Sequence, residues 1–70
     1  MENIRIDTEF IKLGQALKYA NVVESGAMAK GMIQDGQVLV NGSTETRRGK
    51  KLYPGDCFEV FNEKYCVLEK

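Results

Sequence analysis

Four of the six residues in Thr46-Arg47-Arg48-Gly49-Lys50-Lys51 are cations, and none is an acid. Arginine forks two N–H groups onto one phosphate, and lysine acts as a flexible point charge, so this mixture suits a polyanion. The chain carries ten basic and ten acidic residues, and removing this stretch leaves six basic against ten acidic. Positive charge is therefore gathered in one place on a formally neutral protein. A local field of that kind attracts an anion even where the net charge cannot.

Other chemistries are poorly supplied. There is no histidine, so acid–base work would fall to carboxylates, lysine, tyrosine or cysteine. The acids are scattered, with no spacing that pairs two of them on one face. Cys57 and Cys66 are the only cysteines. They lie in strand-like runs without a neighbouring base, and two thiols without histidine do not make a zinc site. They read as small, reduced, buried hydrophobes. The run from Gly36 to Gly42 follows a helix rather than a strand, which is the wrong context for a phosphate-cradling nucleotide loop. The reading is of a binding protein, with no catalytic residues, no metal and no cofactor.

The elements that must position the basic loop follow from local pattern. Ile4-Arg5-Ile6 alternates as a short strand. Phe10, Leu13, Leu17 and Ala20 fall at helical spacing. Either a helix starts as early as Thr8, or Glu9-Phe10-Ile11 is extended and the helix begins near Leu13. Gln15 and Lys18 lie outside its apolar stripe, and Asn21 can end it. Ser25 reads as the N-cap of a second helix from about Gly26 to Gln34, stopped at Gly36. Its apolar face is Met28, Ala29, Met32 and Ile33, with Lys30 on another face. Gln37-Val38-Leu39-Val40 is a strand, and Asn41-Gly42 is a strong signal for a tight hairpin turn. Ser43-Thr44-Glu45 returns and delivers the chain into the basic loop.

Tyr53-Pro54-Gly55-Asp56 is a second turn, with proline and glycine at its two central positions. Strands over Cys57–Phe61 and Lys64–Leu68 follow, joined through Asn62-Glu63. In that register Phe58, Val60, Tyr65 and Val67 share one face, and Cys57, Phe61, Cys66 and Leu68 the other. Phe10, Phe58, Phe61 and Tyr65 read as core, leaving Tyr19 and Tyr53 available for stacking.

Seventy residues make one domain, and 43% hydrophobic with 29% charged content is ordinary for a globular one. No apolar run approaches the ~20 residues of a membrane span. Met1-Glu2-Asn3-Ile4-Arg5 lacks the cationic start and apolar segment of a signal peptide, so the expected location is the cytoplasm, with no membrane partner. The fold class is α+β: two short helices in an angled hairpin, packed on a small, curled, mainly antiparallel sheet.

One set of residues, taken in order, resembles a known family. It comprises Ser25-Gly26-Ala27-Met28-Ala29-Lys30, Ile33, Gly36-Gln37-Val38-Leu39-Val40-Asn41-Gly42, Glu45 to Leu52, and Pro54-Gly55-Asp56. They look like the RNA-binding domain first described in ribosomal small-subunit protein S-four, and in particular its small stand-alone bacterial members. The resemblance runs from about Glu9 to Val67. It implies an L-shaped RNA-binding surface built from the two helices and the following hairpin region, with helix 1 beginning near Leu13. It assigns Ser25, Gly26 and Lys30 to a helix-2 signature, and Thr46, Arg47 and Arg48 to a basic loop that Lys50 and Lys51 extend. Gln15 and Lys18 fall on the exposed face of helix 1, where polar or basic contacts are usual. Many larger members open helix 1 with Arg-Leu-Asp, whereas this chain has Lys12-Leu13-Gly14. The implied partner is structured RNA, ribosomal RNA first, with ribosomal proteins as further partners. The alternative is a protein-binding adaptor in a ribonucleoprotein. The loop and helix 2 are expected to form the two edges of the clamp, with the Asn41-Gly42 hairpin setting their separation.

Overall fold

The computed structural model describes residues 1–70. The chain begins with strand β1 (Glu2–Ile6), followed by the two-residue strand β2 (Ile11–Lys12) and helix α1 (Leu13–Tyr19). Helix α2 (Gly26–Gln34) leads into a short hairpin of β3 (Leu39–Val40) and β4 (Ser43–Thr44). The basic loop then passes into β5 (Lys51–Leu52), and the chain closes with β6 (Cys57–Val60) and β7 (Glu63–Glu69).

Both helices end for the same reason. Asn21 and Gly36 adopt left-handed conformations (φ 61° and 78°) just past the last turn. After α1, the Asn21 and Val22 amides donate back to the Lys18 and Leu17 carbonyls; after α2, those of Gly36 and Gln37 donate to Ile33 and Met32. These paired return bonds satisfy carbonyls that a helix end otherwise leaves open. At its start, α2 is capped by Ser25, whose Oγ accepts from the Met28 amide at 3.2 Å. The buried stripe Leu13, Ala16 and Leu17 of α1 joins Ala29 and Ile33 of α2 in one core with Ile4, Val38, Leu52, Phe58 and Val67. Met28, expected in that stripe, is exposed. It lies in the first turn of α2, one turn before Met32.

The main sheet has the order β1-β7-β6-β3-β4, and β2 pairs with β5 in a separate ladder. All pairings are antiparallel except β1 with β7, which run parallel with Ile4 facing Val67. This architecture matches the α+β expectation, and α2 occupies the span read from sequence.

Two expectations fail in the last hairpin. The turn is Phe61-Asn62, both with positive φ (54° and 62°), so Val60 faces Glu63. Phe61 is therefore at the hairpin tip and 68% exposed rather than in the core. Because the register moves by two residues, each side chain keeps its face. Phe58 still lies with Tyr65, their rings stacked at 5.1 Å. The second failure concerns the thiols: Cys57 and Cys66 occupy facing positions and are joined as a disulfide. The expectation of reduced thiols came from the presumed compartment, while the hairpin register places the two residues directly opposite each other.

Candidate nucleic-acid interface

The basic loop is fixed against helix α1. Leu13 and Gly14, the first two residues of that helix, need acceptors that a helix start cannot supply internally. The loop supplies them: the Leu13 amide donates to the Lys50 carbonyl (2.8 Å) and the Gly14 amide to that of Arg48 (3.0 Å). This corrects the expected clamp, since the loop's position is set by α1 rather than by the Asn41-Gly42 hairpin alone. The hairpin's own turn is as read, with Asn41 and Gly42 both at positive φ.

Between loop and helices lies a groove of about 290 Å³ lined by Lys12, Gly14, Gln15, Lys18, Gly26, Arg48 and Gly49. Three of these residues are cations and none is an acid. Each wall has a local cause. Gln15 and Lys18 are three residues apart and share the exposed face of α1. Gly26 opens α2 with nothing within 4 Å of where a Cβ would sit, so the groove stays wide there. At Gly14 a Cβ would lie 3.5 Å from the Arg48 carbonyl oxygen, in ordinary contact, and its absence leaves the floor open.

The other predicted residues are placed as follows. Lys30 lies four residues beyond Gly26 and continues the same face of α2 outside the groove. Ser25 is half-buried, with its hydroxyl committed to the cap. Thr46 is exposed at the loop entrance. Arg47 is turned back onto Glu45, donating from its backbone amide (3.0 Å), Nε (3.0 Å) and Nη2 (3.2 Å) to the two carboxylate oxygens. These bonds lower the Glu45 pKa from 4.5 to about 2. Lys50 is half-buried, and Lys51 holds its ammonium 4.8 Å from the Phe10 ring centre. Arg47, Gly49, Lys50 and Lys51 line a second hollow with Tyr53 on the far side of the loop.

The loop's four cations thus do not act as one cluster. Arg48 alone among them faces the groove, where it meets Lys12 and Lys18. Lys12 was absent from the residues singled out by sequence. Its signal was its place one residue before α1, at the head of the Lys12-Leu13-Gly14 stretch. Lys12 also stands directly opposite Lys51 in the β2–β5 ladder. Like charges placed opposite each other disfavour a strand pairing, and Lys51 has its ammonium over the Phe10 ring instead of in the groove.

The S4 domain family model matches residues 4–68. This chain belongs to that family. The S4 domain here is also 54% identical over 57 residues to the probable ribosome maturation protein RlbA of Bacillus subtilis (strain 168), a match covering 81% of this chain and 80% of that protein.

Proposed function

We propose that this S4 domain is a non-catalytic RNA-binding protein of the cytoplasm that recognises structured RNA, with ribosomal RNA as its first target. The observation that carries the reading is the acid-free groove between the loop and the two helices, into which β2, α1 and the loop bring Lys12, Lys18 and Arg48. A folded RNA presents phosphates and 2′-hydroxyls at its surface more readily than base edges, so a small cationic groove reads shape and charge. Arg48 supplies a forked contact, and Lys12 and Lys18, at the two ends of α1, supply point charges. Lys30 and Lys50 extend the track along α2 and the loop, while Gln15 offers an amide for a sugar or phosphate contact. Ser25 and Gly26 act through geometry, by setting the start of α2. Thr46 and Arg47 shape the loop entrance, and Lys51 contributes charge on its far side.

The family assignment supports RNA as the polyanion, and the name of the Bacillus subtilis relative supports ribosome maturation as the process. Sedimentation of cell extract tests this directly. The protein should travel with ribosomal particles or their precursors, crosslink to ribosomal RNA, and be released by complete RNase digestion. Retention on protein-only remnants after digestion would instead favour the adaptor role.

A further inference from the structure

A second groove, of about 670 Å³, lies where α1 meets β1, outside the surface formed by the loop and α2. Its volume is within the ~300–1,000 Å³ that accommodates small-molecule-sized ligands. Arg5, Lys18 and Lys70 line it as cations, with Asp7 the one acid, and Phe10 and Tyr19 contribute rings. Gln15 and Lys18 line both grooves, so the two are neighbours on either side of these α1 side chains.

Tyr19 is the feature that the packing of the domain does not explain. It is 60% exposed at the end of α1. Its hydroxyl nevertheless donates to the Arg5 carbonyl at 3.3 Å, tying the ring across to β1. An aromatic ring held at one end and open to solvent over most of its surface is a ready stacking platform for a nucleobase. The Arg5 guanidinium reaches only a backbone carbonyl, that of Glu69 at 3.4 Å, and so keeps its charge available.

We propose that this groove is a subsite for an unpaired RNA strand continuing from the structured RNA held in the basic groove. One base stacks on Tyr19, while flanking phosphates meet Lys18 and Arg5. The proposal rests on the RNA-binding reading of the preceding section and adds a ligand class to it: a helix–single-strand junction rather than a blunt helix.

The test compares a blunt RNA duplex with the same duplex carrying a four-adenine overhang at its 5′ or 3′ end. One overhang should tighten binding by about ten-fold, the scale of one aromatic–base stack. Tyr19→Leu should remove most of that increment while leaving blunt-duplex affinity unchanged, and Tyr19→Phe should retain it. Equal affinity for blunt and both overhung duplexes, or an undiminished increment in Tyr19→Leu, overturns the subsite. Tetra-adenylate alone, titrated while following the Tyr19 ring signals by NMR, separates the two claims. If the blunt duplex fails to bind but the tetranucleotide shifts Tyr19, the basic-groove reading falls and the subsite stands. If the duplex binds and Tyr19 does not respond to the tetranucleotide, the subsite falls alone.

Discussion

Arg47 and Arg48 are neighbours in sequence, yet one is held by Glu45 and the other faces the groove beside Lys12 and Lys18. Substitution should separate them. Arg48→Ala should weaken binding to a structured RNA by about ten-fold or more, the scale of one lost charge-assisted contact. Arg47→Ala should cost less, because its guanidinium already has a partner. A filter-binding titration of both variants checks the order, and equal losses would contradict it. Glu45 supplies a second test at this scale. Its folded pKa lies near 2 against an ordinary 4.5. The folded chain therefore binds fewer protons at this site than the unfolded chain across that interval. The stabilisation is complete above 4.5 and is lost as pH falls through about 2. An NMR titration of the Glu45 side-chain carbonyl should give a midpoint near 2, and a midpoint near 4.5 would mean the ion pair is absent in solution. The Glu45–Arg47 pair could not be read from the sequence. The stretch looked free of acids because the acid stands one position before it.

At the scale of elements, α2 is where stability and binding can be separated. Gly26 opens the helix and also lines the groove, with open space around it. Gly26→Glu places a carboxylate in the first turn, which favours the helix by about 0.3–1 kcal/mol through its dipole. The same charge enters an otherwise acid-free groove. Thermal unfolding should show equal or raised stability, while RNA affinity falls; a fall in both would show that Gly26 is needed for the fold itself. The elements most legible in sequence were those with local signals: α2 between Ser25 and Gly36, and the Asn41-Gly42 and Pro54-Gly55 turns. The final hairpin was misread because Phe61 is an unusual residue at positive φ, where asparagine and glycine are the usual occupants. The β2–β5 ladder and the parallel β1–β7 pair join segments far apart in sequence, and no local signal announces either.

For the molecule as a whole, binding surface and disulfide lie on different elements. The groove is built from α1, the start of α2 and the loop, whereas the disulfide ties β6 to β7. Closing a loop between cysteines nine positions apart stabilises by up to about 2.5 kcal/mol on chain-entropy grounds. Urea unfolding with and without a thiol reductant should show a loss of that order, with RNA affinity unaltered where the domain remains folded. The resemblance pointed to the two helices and the loop as the candidate RNA face, but not to which of its cations converge. That convergence depends on two backbone hydrogen bonds from Leu13 and Gly14 to the loop, which no composition or spacing reveals. If Lys12, Lys18 and Arg48 meet phosphates in this groove, the salt dependence of RNA binding reports it. If roughly four phosphates are engaged, log affinity should fall with log salt at a slope of about −3 to −4. In the Lys12→Ala, Arg48→Ala double variant the slope should become shallower by about 2. A folded double variant with the wild-type slope would show that these cations do not meet phosphates.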